Sequence, residues 1–228
     1  NDDGAEAWSL TGSGGADTIT GDNGVDNITP GAGADIITPG IGLDIIALGT
    51  DSGVDTVIYS SITSAEEGGA TGSDSVGDTI TGFESTSDKI KVSGAMSTAY
   101  QDVTDNAVLE FGTTGINDNA TGSAVAASLA DGSANEMLFL DTLNSNLVAA
   151  NLGDIAAVVT ALETQINLTA ATNADGLIVI ESSDVAGKFG MYHFKEAAGS
   201  ADNFDAGDLT ILAIVTGDDV VAGDFISA

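Results

Sequence analysis

The chain has no cysteine and no arginine, and only two prolines, one histidine and one tryptophan among 228 residues. Without cysteine there is no disulfide staple and no thiol nucleophile, so a secreted chain of this kind needs another brace, and a bound metal is one. The only basic residues are Lys89, Lys91, Lys188 and Lys195, set against 35 acids, for a formal charge of −31. Nucleic-acid binding rests on Lys and Arg neutralising phosphates, and anionic membranes attract the same residues, so both partners are excluded. Cations are favoured. No stretch approaches the ~20 apolar residues of a membrane-spanning helix. No basic-then-apolar leader opens the sequence, and its first residue is Asn1, which suggests a processed product or a fragment.

What the chain does have is aspartate in glycine-rich turns. Acidity that served only solubility or salt tolerance would scatter acids over the surface and use Glu freely. Here Asp dominates and recurs. Four consecutive nonapeptides run GSGGADTIT (12–20), GDNGVDNIT (21–29), PGAGADIIT (30–38) and PGIGLDIIA (39–47), followed by the looser LGTDSGVDTVI (48–58). The fourth place is Gly15, Gly24, Gly33, Gly42 and then Gly53. The sixth is Asp17, Asp26, Asp35, Asp44 and then Asp55. The eighth is Ile19, Ile28, Ile37, Ile46 and then Val57.

Glycine and proline are too dense here for a helix. The pattern suits a turn of about six residues and a strand of about three, with glycine supplying positive φ in the turn and the eighth side chain pointing inward. Two units would make one coil of a parallel β-solenoid, so Asp17, Asp35 and Asp55 form one row and Asp26 and Asp44 the other. Stacked strands lie ~4.8 Å apart, and two bare carboxylates at ~5 Å repel by roughly 3 kcal/mol at an effective dielectric of 20. The spacing therefore predicts a cation between coils. Oxygen-only donors point to Ca²⁺ rather than zinc. Proline fixes φ, so Pro30 and Pro39 predict altered turns in the third and fourth units. The seventh place should face outward, and Ile36 and Ile45 there predict a cover, from a loop of this chain or from another subunit.

At places four, six and eight these units resemble the RTX (repeats-in-toxin) nonapeptide G-G-x-G-x-D-x-U-x of secreted bacterial proteins. Ser13 and Asp22 depart from it at the second place, and Pro30 and Pro39 at the first. The resemblance implies a parallel β-roll with Ca²⁺ held between turns by Asp carboxylates and backbone carbonyls. The segment GDTITGFESTSDKIKVSG (77–94) is similar to the stretch that follows such rolls. There Asp78 and Asp88 either complete a further calcium site or simply flank two strands. The C-terminal stretch 190–228, closing on Asp224-Phe225-Ile226, looks like the tail of proteins exported by type I systems. That implies an extracellular or cell-surface location.

Residues 151–166 place Ile155, Val158, Val159, Leu162 and Ile166 at helical spacing. Strands are expected at 107–111, 136–141, 176–182, 188–196 and 208–216. In the fourth of these, Phe189, Met191 and His193 alternate with Tyr192 and Phe194. The fold class expected is mostly β: a calcium-binding roll with its closing strands over 9–94, then a β-rich, sandwich-like domain with one amphipathic helix over 95–228.

Catalytic patterns are missing. There is no H-E-x-x-H, no G-x-S-x-G and no phosphate loop. His193 is the single histidine, in an alternating strand where a structural role is the ordinary one. The expected function is thus a non-catalytic secreted calcium-binding protein that assembles with copies of itself as a surface layer or filament. The alternatives are the C-terminal folding and export module of a larger toxin, hydrolase or adhesin, or a catalytic domain of unknown type in 96–189.

Overall fold

The computed structural model describes residues 6–59, 77–85, 87–92, 125–127, 137–140, 147–168, 175–195 and 204–227. The strand expected at 107–111 lies outside them.

The repeats form short strands separated by turns: β1 (Ser9–Thr11), β2 (Thr18–Thr20), β3 (Asn27–Thr29), β4 (Ile36–Thr38), β5 (Ile45–Ala47) and β6 (Thr56–Tyr59). Alternate strands pair in parallel, with an 18-residue offset up to β5, as in Leu10 with Ile28 and Ile19 with Ile37, and 20 residues between β4 and β6. Two units therefore make one coil. Its two strands fall in opposite sheets, because a six-residue turn reverses the chain before the next strand starts. β7 (Asp78–Phe83) and β8 (Lys89–Val92) add one more strand to each sheet, β7 on β5 and β8 on β6. The centre of each strand points inward: Ile28, Ile37, Ile46, Val57, Ile80 and Ile90 are fully buried. A single aliphatic per short strand suffices because each is enclosed by the coils above and below.

The remaining strands are β9 (Val125–Ala127), β10 (Met137–Leu140), β11 (Ile166–Leu168), β12 (Asp175–Glu181), β13 (Lys188–Lys195), β14 (Leu209–Gly217) and β15 (Phe225–Ser227). One eight-stranded sheet runs β1-β3-β5-β7-β14-β13-β12-β10, and a five-stranded sheet runs β15-β8-β6-β4-β2. β14 pairs with β7 in parallel, and β15 pairs with β8 in parallel. The hydrogen bonding of the roll thus passes into the C-terminal strands, and a single core joins Ile46 and Ile80 to Met191, Val215 and Phe225.

The helix is α1 (Ile155–Gln165), opening after Asp154, whose carboxylate accepts the Ala157 N–H at 3.1 Å. Ile155, Val158 and Leu162 are buried in a second core with Ile178, Ile180, Tyr192 and Phe194. Ile166, expected as the last helical contact, instead opens β11, whose partner is β9. The alternation in β13 separates two cores: Phe189 and Met191 face the roll, while Tyr192 and Phe194 face α1. His193 is buried in this strand between Leu177 of β12 and Thr210 of β14.

The seventh-place residues do face outward, but Ile36 and Ile45 remain 44% and 47% exposed. They also sit on different sheets, β4 and β5, so they cannot form one patch. The cover expected from a loop of this chain or from another subunit is not seen among the described residues.

Candidate functional site

The sixth-place aspartates line up in the two rows that the period predicts, and both rows are longer than the repeats. The first is Asp17, Asp35, Asp55 and Asp88; the second is Asp26, Asp44 and Asp78. The links are backbone to side chain: the N–H of each Asp donates to Oδ1 of the next. The distances are 2.7 Å from Asp17 to Asp35, 3.0 Å from Asp35 to Asp55 and 3.0 Å from Asp55 to Asp88. In the second row they are 2.7 Å from Asp26 to Asp44 and 2.8 Å from Asp44 to Asp78. Asp26, Asp35, Asp44, Asp55, Asp78 and Asp88 are all buried, and Asp17, on the first coil, is partly exposed.

This ladder corrects one step of the sequence argument. Repulsion alone does not require a cation at every coil, because each Oδ1 from Asp26 onward already has a charge-assisted donor. The discriminating atoms are the second oxygens. Asp17 Oδ2 accepts the Ser13 N–H at 2.6 Å and the Ser13 hydroxyl at 2.9 Å. Asp26 Oδ2 accepts the Asp22 N–H at 3.1 Å, and Asp88 Oδ2 accepts the Glu84 N–H at 2.8 Å. Asp78 Oδ2 accepts the Tyr59 hydroxyl at 2.9 Å. Asp35 Oδ2 and Asp44 Oδ2 are buried and accept nothing. A buried carboxylate oxygen without a donor is costly, and a cation is a partner that removes the cost.

Both oxygens lie in the two proline-led turns, which differ from the others as expected. Gly31, Gly33, Gly40 and Gly42 have φ of 106°, 130°, 104° and 154°. A Cβ on Gly40 would stand 2.1 Å from the Asp22 carbonyl oxygen, so only glycine fits. Among the fourth-place glycines, Gly33 and Gly42 take positive φ, but Gly15, Gly24 and Gly53 do not. In those turns a side chain holds the glycine N–H instead: Ser13 on Gly15 at 3.4 Å, Asp22 on Gly24 at 3.0 Å and Asp51 on Gly53 at 2.5 Å.

Among the described residues no three His, Cys, Asp or Glu side chains gather as a metal cluster. An ion in these turns would take one carboxylate and backbone carbonyls, a donor set suited to a hard cation such as Ca²⁺.

Sequence reasoning missed Trp8. In the register of the coils it stands opposite Asp26, where a sixth-place Asp would be. Its N–H donates to Asp26 Oδ1 at 2.7 Å and its indole N–H to Asp22 Oδ2 at 2.8 Å. It ends the second row with two donors and adds no charge. Nothing in the sequence before it repeats the Gly-x-Asp spacing, so the period gave no signal.

Burial pushes the Asp44 carboxyl up from 3.8 to about 6, against the Asp26 N–H bond, which lowers it, and with the negative charges of Asp26 and Asp22 raising it. Burial also raises Asp55 to about 6, opposed by the Asp35 N–H bond and helped by the charge of Asp88. Burial takes Asp78 to about 8, against the Asp44 N–H and Tyr59 hydroxyl bonds, which lower it. Folded-state values above the unfolded 3.8 mean that the folded chain keeps protons the unfolded chain has released. These three groups therefore contribute most to the stability of the metal-free roll below about pH 4. That contribution falls as pH rises through about 6, and through about 8 for Asp78. The expected loss is on the order of 2 kcal/mol each for Asp44 and Asp55. Thermal melts in chelator from pH 4 to 8 should show a falling midpoint, and a midpoint that rises with pH contradicts this.

No helix among the described residues is long and apolar enough to cross a membrane. No protein-family model matches the chain, and no curated protein matches it. Among solved structures, the chain is similar to the AlgE6R3 subunit from the Azotobacter vinelandii mannuronan C5-epimerase, a solution structure. The TM-score is 0.42 and the identity 18%, over 96% of this chain and 77% of that one.

Proposed function

We propose that this chain is a non-catalytic calcium-binding structural protein, exported by a type I-like route, that folds outside the cell and assembles there with copies of itself. The observation that carries the calcium reading is the pair of buried, partnerless oxygens, Asp35 Oδ2 and Asp44 Oδ2. The RTX resemblance of the repeats supports the same ion and the same location. Asp35 and Asp44 would hold the ion together with turn carbonyls, and the ion would supply the positive charge that the acid rows lack. Assembly is supported by Ile36 and Ile45, exposed on opposite sheets. Contacts made through two different sheets can repeat without closing, as in a filament or layer.

Electron microscopy and sedimentation with and without calcium test this reading. Ordered assemblies at millimolar calcium are expected, and monomers there would refute the assembly part.

A specific observation also favours a second reading, the C-terminal module of a larger toxin, hydrolase or adhesin. β1 and β2 are unpaired edges of their sheets among the described residues, and Leu10 and Ile19 behind them are only partly buried. Such an end can accept a preceding coil. Intact-mass analysis of the natural product separates the two readings.

A further inference from the structure

We infer that the roll does not bind calcium at every repeat: the turns 30–35 and 39–44 take an ion, while the turns 12–17 and 21–26 are closed by Ser13 and Asp22 without one. This deepens the calcium reading above and rests on it.

The inference comes from the second oxygen of each sixth-place Asp. In the first two turns the second-place residue is not glycine. Its N–H reaches the carboxylate four residues on, Ser13 to Asp17 and Asp22 to Asp26. Its side chain then accepts the N–H of the glycine two residues on, Gly15 or Gly24. One residue thus satisfies the carboxylate and pins the turn. An ion placed there would have to compete with hydrogen bonds already made, so its net gain is small.

In the third and fourth turns the second-place residue is Gly31 or Gly40, with φ of 106° or 104°. In that left-handed backbone no N–H is delivered to Oδ2, and no side chain is available to stand in. Their N–H-free neighbours Pro30 and Pro39 cannot donate either. These carboxylates are as enclosed as that of Asp26, with Asp35 at 0% and Asp44 at 1% exposure, but unlike Asp26 each leaves Oδ2 without a donor. An ion gains most here, because it meets an oxygen that nothing else meets. Ser13 and Asp22 are therefore positioning residues that decide which coils are filled.

The test is the calcium stoichiometry of the full chain by titration calorimetry, compared among four single variants. Asparagine keeps the Oδ1 acceptor of the ladder and removes the charge. Asp35→Asn and Asp44→Asn should each lose one bound ion relative to the parent. Asp17→Asn and Asp26→Asn should keep the parent count. Loss of an ion from Asp17→Asn or Asp26→Asn overturns the inference, as does an unchanged count in folded Asp35→Asn and Asp44→Asn. If the latter pair do not fold in calcium, judged by circular dichroism, the former pair decide it alone. A parent that binds no calcium at millimolar concentration refutes the calcium reading itself, an outcome distinct from binding at the wrong turns.

Discussion

Chelation of calcium is expected to lower the melting midpoint of the roll by roughly 10–20 °C, or to unfold it at room temperature near neutral pH. Each site filled at 100-fold over its dissociation constant adds about 2.7 kcal/mol, so ions on Asp35 and Asp44 together add about 5 kcal/mol. That is comparable with the ~5–15 kcal/mol of a whole domain, and each kcal/mol moves the midpoint by ~2–4 °C at this chain length. The coils have little else to draw on. β3, β4 and β5 each enclose one aliphatic, Ile28, Ile37 and Ile46, and each intervening turn carries two glycines, the residue that loses the most freedom on folding. Neutral pH sharpens the effect, because Asp44 and Asp55 titrate at about 6 and have to ionise against their burial when no metal is present. Calcium favours the ionised form and so should flatten the pH dependence seen in chelator. The loss of β signal by circular dichroism is the global measurement. Trp8, the single tryptophan, is bonded to Asp22 and Asp26, so its fluorescence reports the first coils separately. Identical melts in calcium and in chelator would show that the two oxygens need no ion.

The roll was legible because its information is local and periodic. A nine-residue spacing fixes turn, strand and inward residue at once, so the rows through Asp17 and Asp26, and their separation onto two sides, followed from counting. Asp78 and Asp88 were found through resemblance rather than period, since 20 or more residues separate them from the repeats. The choice between ladder and ion was not legible. The spacing gives the carboxylates but not the direction of the backbone N–H groups, which depends on whether the second place is Ser13 and Asp22 or Gly31 and Gly40. Trp8 was missed because a residue that ends a pattern does not repeat it. The exposure of Ile36 and Ile45 on separate sheets reflects the two-strand coil, which sends adjacent units to opposite sides. The parallel pairing of β7 with β14 joins residues more than 130 positions apart, as in Thr79 with Ile214. No local pattern encodes such a partner: both strands alternate or run apolar, and only the shape of the assembled core selects the match.

Phe225→Ala should destabilise the protein by about 3–5 kcal/mol, the usual cost of emptying a large buried aromatic site. The effect is expected far from the repeats in sequence yet inside the roll in space. Phe225 is 3% exposed and pairs with Ile90 across β15 and β8. Its ring meets Phe189 edge-on at 6.2 Å, and Phe189 meets Phe83 edge-on at 6.0 Å. These three rings close the end of the roll core opposite to Trp8. The strand is also held by Asp224, fully buried, which accepts Lys89 Nζ at 3.1 Å, the Ser85 hydroxyl at 2.7 Å and the Val221 N–H at 3.0 Å. Because the ion pair lies outside the cavity, Phe225→Ala keeps β15 in place and isolates the packing term. Urea unfolding in saturating calcium should show a lower midpoint with an unchanged slope. A loss below 1 kcal/mol would mean that β15 is not part of the cooperative core. A second readout follows from linkage. Calcium binds the folded roll in preference to the unfolded chain, so weakening the fold at β15 should move calcium-dependent folding to higher calcium. Asp35 and Asp44 are untouched by this substitution. If the calcium midpoint stays put while the urea midpoint falls, the repeats fold as a unit of their own, and the C-terminal strand only sits on it. If both shift, the roll and its last strand fold together, as the shared core of Ile46, Ile80, Ile90 and Phe225 predicts.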